Sequence, residues 1–232
     1  MIKIFIILFF LAINYSFNMD DIMSFENKYS QEIKWANNYI YENKSIIDSI
    51  FINNNIDIEL GLSIMFPELV RYNFLKDQIE ISLNKILYVN GGLEYSDLSI
   101  GVLQMKPSFI KRLSNSHRMS NYELLFEFNN KLNDEDIRAI IIQRLQKLSY
   151  QLLYLSYFIN IIDNHIQNYN FSNSEKIKYI STAYNSGAWY NINNNEKYSQ
   201  KKTYPNGPDE KKIIQYSFSD ISLYYYNKLK AN

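Results

Sequence analysis

Between positions 141 and 166 the chain carries Ile141, Leu145, Leu148, Leu152, Leu155, Ile159, Ile162 and Ile166, an apolar stripe alternating steps of four and three without a miss. Side chains at that spacing share one face of an α-helix, so the pattern predicts one long helix that starts at an Asn133 or Asp134 cap. Tyr154, Tyr157, Phe158 and Ile161 make other faces apolar as well, which predicts burial on most sides. Gln151, Ser156 and Asn160 argue against a membrane span. A coiled-coil dimer seam is the alternative use of the stripe. With 232 residues the chain can bury one sizeable core, and no shift in composition marks a second domain. A single domain over 19–232 is expected.

Helical patterns fill most of the remaining length. From about 30 to 52, Ile33, Ala36, Ile40, Ile47 and Ile50 share a face that only Asn43 interrupts. A second run, about 57–75, puts Ile58, Leu62, Met65, Leu69 and Tyr72 on one stripe, with Pro67 expected to kink it. A third, 76–96, carries Ile79, Leu83, Ile86 and Leu87 and a stop at Asn90-Gly91-Gly92. Pro107 presets a first helical turn, so a helix is expected from Ser108. A polar interval follows from 115 to 133. Beyond the long stripe, Ser172 or Ser174 would cap a helix over 174–182 that leads to a stop at Gly187. The Asn- and Lys-rich stretch 191–207 reads as a long mobile loop on the rim of a cleft. The last helix, about 209–230, has Ile214, Phe218, Ile221 and Tyr225 on one face.

Chemistry-bearing residues gather in few places. The run from Asp97 to Phe109 reads as a structured loop entering a helix. Gly101 can adopt backbone angles closed to other residues and would let a backbone or a ligand come close. Gln104 offers donors and an acceptor suited to sugar hydroxyls and acetamido groups. Glu68 lies at the edge of its helix's apolar stripe, one turn from Ile64, Met65, Arg71 and Tyr72. A carboxyl half buried against apolar groups has its charged form disfavoured, which moves it toward the range of a general acid. An ion pair with Arg71, three residues on, is the competing reading and acts in the opposite direction. Asp97 is either a second carboxylate over the same cleft or a loop aspartate capping backbone amides. Trp189 and Tyr190 are candidates for stacking on sugar rings.

Several classes drop out. His117 and His165 are the only histidines and there is no cysteine, so no metal site, disulfide or thiolate chemistry is expected. No Gly-x-Ser-x-Gly elbow, phosphate loop or dinucleotide fingerprint is present. A formal net charge of +0 removes the electrostatic case for nucleic acid or an anionic membrane. Met-Ile-Lys followed by an apolar block from Ile4 to Ile13 matches a signal-peptide pattern over 1–18, cleaved or kept as an anchor, and implies export.

Gly101-Val102-Leu103-Gln104-Met105-Lys106-Pro107-Ser108 resembles the Gly-Leu-Met-Gln-Ile-x-Pro-x-Thr signature of lysozyme-like lytic transglycosylases and goose-type lysozymes. Two further pieces keep the family's chain order: a helix glutamate in Phe66-Pro67-Glu68-Leu69-Val70-Arg71-Tyr72, and Ala183-Tyr184-Asn185-Ser186-Gly187, similar to the family's Ala-Tyr-Asn-Ala-Gly. The chain departs from the pattern in two ways. Leu69 stands where the family has serine, and Glu68 and Gln104 are 36 residues apart, further than in the family. That spacing implies an inserted helix and leaves Glu80 and Glu94 as competing glutamates.

The resemblance implies a mainly α-helical, lysozyme-like domain with a buried central helix and a substrate cleft. It implies cleavage of the β-1,4 bond between N-acetylmuramic acid and N-acetylglucosamine in peptidoglycan. Glu68 would protonate the leaving oxygen and then, as base, take a proton from the muramyl 6-hydroxyl to close an anhydro ring. Gly101, Gln104, Met105, Tyr184 and Asn185 would contact substrate. A monomer acting on glycan strands in the periplasm or cell envelope is expected, with no nucleic-acid partner, metal or organic cofactor. A muramidase using Asp97 and water is one alternative. An exported, non-catalytic glycan-binding or scaffold module is another, in which Glu68 would point away from Gln104 and Tyr184 or sit locked against Arg71.

Overall fold

The computed structural model describes residues 19–74, 78–116, 120–205 and 216–231. The signal-peptide pattern, His117 and the 209–215 part of the expected last helix lie outside the described residues, as does the side chain of Glu80. Among the described residues the regular structure is all helical, in keeping with the mainly α class expected. The helices are α1 (Met19–Lys28), α2 (Ser30–Glu42), α3 (Lys44–Asn53), α4 (Ile58–Phe74), α5 (Gln78–Gly91), α6 (Pro107–Ser114), α7 (Asp134–Leu145), α8 (Leu148–Ile166), α9 (Asn173–Ser186), α10 (Ile192–Ser199) and α11 (Phe218–Lys230). Two 3₁₀ turns, Gly92–Glu94 and Ser120–Leu125, punctuate them.

The long apolar stripe forms two helices, α7 and α8, where one was expected. After Leu145 the turn tightens: Lys147 N–H bonds to Arg144 O at 3.0 Å, a three-residue step. The Leu145 carbonyl, at the end of α7, instead accepts from the Gln151 side chain at 2.6 Å. Asn133 caps α7 with a capping box to Asp136, as expected. Around α8 the burial is as the pattern predicts. Leu152, Leu155, Ile159, Ile162 and Ile166 are buried inside the chain, and so are Tyr154, Tyr157, Phe158 and Ile161 on its other faces. No helix among the described residues is long and apolar enough to cross a membrane.

The 30–52 pattern likewise divides, into α2 and α3, because the Asn43 side chain donates to Tyr39 O at 2.8 Å and ends the first helix. Helix α4 starts where Asp57 Oδ1 accepts from Leu60 N–H at 2.8 Å, and it runs on through Pro67. Phe66 of α4 stacks on Tyr225 of α11 with ring centroids 3.7 Å apart, and α9 packs on both helices. The 191–207 stretch, expected as a loop, contains α10. Asn191 caps it by accepting from Asn194 N–H at 2.9 Å, and the buried Asn195 donates to Tyr179 O at 3.0 Å and Ala188 O at 3.2 Å. One buried amide therefore anchors a helix that has almost no apolar face. Buried side chains from every helix except α10 meet in one hydrophobic core, against which Ile192 of α10 packs half-buried.

Candidate active site

The three stretches singled out in the sequence meet at one cavity of about 830 Å³. Glu68 and Arg71 enter from α4, Tyr184 and Asn185 from the end of α9. Asp97, Gln104, Met105 and Lys106 come from the loop that leads into α6. Glu94 does not line it and is exposed in its 3₁₀ turn.

The loop is pinned from three sides. Ile100 and Met105 exchange both backbone hydrogen bonds, at 2.8 and 3.1 Å, which closes a tight turn with Gly101 at φ +72° and Gln104 at φ +50°. From α8, Gln151 Oε1 accepts from Leu103 N–H at 2.8 Å while its Nε2 holds the end of α7. From α9, the Tyr184 hydroxyl donates to Leu103 O at 2.7 Å. Gly101 does not line the cavity; the close approach it permits is to protein, since a Cβ there would lie 1.7 Å from Gln151 Nε2 and 2.5 Å from Leu145 O. Gln104 lines the cavity in a left-handed conformation uncommon for a non-glycine residue, with one amide N–H given to Gly101 O at 2.9 Å. Met105 is buried and presents apolar surface to the cavity.

Asp97 accepts from both the backbone N–H and the hydroxyl of Ser108, at 2.8 and 2.6 Å. It caps the first turn of α6, the second of the two readings given for it, while also lining the cavity. Tyr184 is wedged against Phe109 and Phe158, with centroids 5.5 Å away in each case, and burial pushes its hydroxyl well above the ordinary tyrosine range. Its bond to Leu103 makes it an anchor of the loop. Asn185 is exposed at the cavity wall. Trp189 is 1% exposed, packed on Phe109 and Phe158 and covered by the Arg112 guanidinium 4.1 Å from its ring centre. That burial corrects the expectation that its face stacks on sugars. Tyr190 remains exposed, edge-on to His165.

Glu68 is more deeply set than its place beside the stripe suggests. It is 2% exposed, and Arg71 Nη2 reaches both of its oxygens, at 2.6 and 2.5 Å. Both expectations for this carboxyl are thus present together. Burial pushes it above the ordinary carboxylate range, the Arg71 charge and hydrogen bonds pull it back, and burial prevails. The opposite charge keeps Arg71 protonated against its own burial. Tyr204, from the segment after α10, closes this end of α4 by donating to Pro67 O at 2.8 Å, and Pro205 joins the cavity wall.

Sequence reasoning did not single out Lys106 or Arg112, which bring positive charge to the wall, nor Ser99 and Pro205. Lys106 was readable only as part of the loop motif. Arg112 stands one turn into α6 with no motif of its own. Comparison of the chain with protein-family models, with curated proteins and with solved structures finds no match.

Proposed function

We propose that the chain is a lysozyme-like, exported lytic transglycosylase that cleaves the MurNAc–GlcNAc β-1,4 bond of peptidoglycan with Glu68 as acid and then base. The observation that carries this reading is the convergence of Glu68, Gln104 and Tyr184, from three distant segments, on one cavity of about 830 Å³, the size range of an organic ligand site. A buried carboxyl with raised proton affinity is what leaving-group protonation requires. Gln104 and Asn185 supply amides for sugar hydroxyls and acetamido groups, and Met105 an apolar patch. A rigid loop suits such a site, because acid and glycosidic oxygen have to meet within about 3 Å. The reaction needs no external nucleophile: the muramyl 6-hydroxyl attacks C1 as its proton passes to Glu68.

A second reading has its own support. Arg71 Nη2 holds both Glu68 oxygens, the locked arrangement expected of a glycan-binding module. Asp97 keeps a hydrolytic variant in view, although Ser108 occupies both of its oxygens.

Digestion of purified peptidoglycan by the protein and by Glu68→Gln, with products identified by mass spectrometry, separates these. Anhydromuropeptides that fall by at least about 10²-fold in the variant are expected, the scale on which general acid–base catalysis contributes. Reducing-end products lost in Asp97→Asn would point to the hydrolase. No release by either protein, with glycan still bound, would leave the binding module.

A further inference from the structure

We propose that Arg71 is a displaceable counter-ion: it offsets part of the effect of burial on Glu68 until a carboxylate on the muramyl ring draws it away, whereupon Glu68 takes up a solvent proton and becomes the acid. The inference rests on the lytic reading above and specifies the substrate as stem-free glycan, whose lactyl group is a free carboxylate.

The geometry orders the two groups. Both line the cavity, but Arg71 is 20% exposed and Glu68 2%, so the cation is the more accessible of the two to a ligand. Arg71 Nε is buried and has no hydrogen-bond partner among the described residues. That N–H is an unsatisfied buried donor, which gains a partner if the guanidinium turns out toward a planar anion and binds it in bidentate fashion. Because Nη2 touches the carboxyl assigned as the acid, the anion it moves to has to sit beside the scissile bond. On the muramyl ring that anion is the lactyl carboxylate.

Among the described residues, Arg71 is the cation that acts on Glu68. Tyr184 of α9 and Tyr204 of the segment after α10 face the pair, and burial holds both neutral, with Glu32 of α2 acting on Tyr204 in the same sense. Tyr225 of α11 lies against Phe66. On the cavity wall Asp97 accepts from Ser108, while Lys106 and Arg112 are positive. With Arg71 withdrawn, burial alone sets the proton affinity of Glu68, and it rises.

The test is the ¹³C titration of the Glu68 carboxyl in the wild-type protein, its resonance identified by loss in Glu68→Gln, with N-acetylmuramic acid and with N-acetylglucosamine. An upward move of at least one pH unit with the first sugar alone is expected. No move with N-acetylmuramic acid, or an equal move with both, would overturn the proposal. Kinetics on stem-free strands supply a second readout. In wild type the basic limb of kcat should lie at higher pH than that of kcat/KM, and in Arg71→Gln the two should coincide; a gap that persists in the variant would overturn the proposal as well. Failure of the wild type to release any product would sink the lytic reading, and the titration would still decide the role of Arg71.

Discussion

Gly101 is the residue where the loop signature acquires a physical cause. Its left-handed φ of +72° and the 1.7 Å that would separate a Cβ from Gln151 Nε2 both demand hydrogen as the side chain. Gly101→Ala is expected to cost at least about 1–3 kcal/mol, combining backbone strain with overpacking. Urea unfolding reads this directly, and an unchanged midpoint would show that the loop yields. Glu68 illustrates the opposite situation. Its chemistry was legible as a carboxyl beside an apolar stripe with an arginine three residues on, but the balance between them was not. Burial to 2% exposure depends on α9, α11 and the 200–205 segment closing over α4, and periodicity within one helix carries no information about those neighbours.

Elements that pack by a continuous apolar face were readable; elements fixed by one polar side chain were not. The stripe identified α8 as a helix buried on most of its faces. Its break at Gln146–Lys147 depends on Gln151, which spans the end of α7 and Leu103 of the loop. In the sequence Gln151 stood out only as a polar residue unsuited to a membrane. Helix α10 was missed for the same reason, being tied down by Asn195 within a stretch of Asn and Lys. Gln151→Met keeps the volume and removes both bonds. It leaves Leu103 N–H and Leu145 O unsatisfied in the interior, at about 1–3 kcal/mol each. A loss of about 2–6 kcal/mol in chemical denaturation, with faster amide exchange at Leu103, is expected. Intact stability in this variant would mean that Tyr184 and the Ile100–Met105 pairing suffice to hold the loop.

At the scale of the whole molecule, α8 holds the loop through Gln151 and α9 through Tyr184, while α4 brings Glu68 to the cavity that the loop lines. Each of the three segments that line the cavity has a separate structural duty: α4 buries Glu68, the loop presents Gln104, and α9 ties that loop down through Tyr184. The mainly helical class and the convergence of those segments were legible in their order along the chain. The depth at which the Glu68–Arg71 pair is buried and the positive wall from Lys106 and Arg112 emerge only when the helices are assembled. The central claim is that this cavity seats a glycan with its scissile oxygen at Glu68. The most direct measurement is a crystal structure of Glu68→Gln with a stem-free muramyl glycan fragment. The glycosidic oxygen is expected within about 2.6–3.2 Å of the residue 68 side chain, hydrogen-bond distance for a general acid, with Arg71 turned onto the lactyl carboxylate. A fragment bound elsewhere, or seated in the cavity with its glycosidic bonds remote from residue 68, would contradict it.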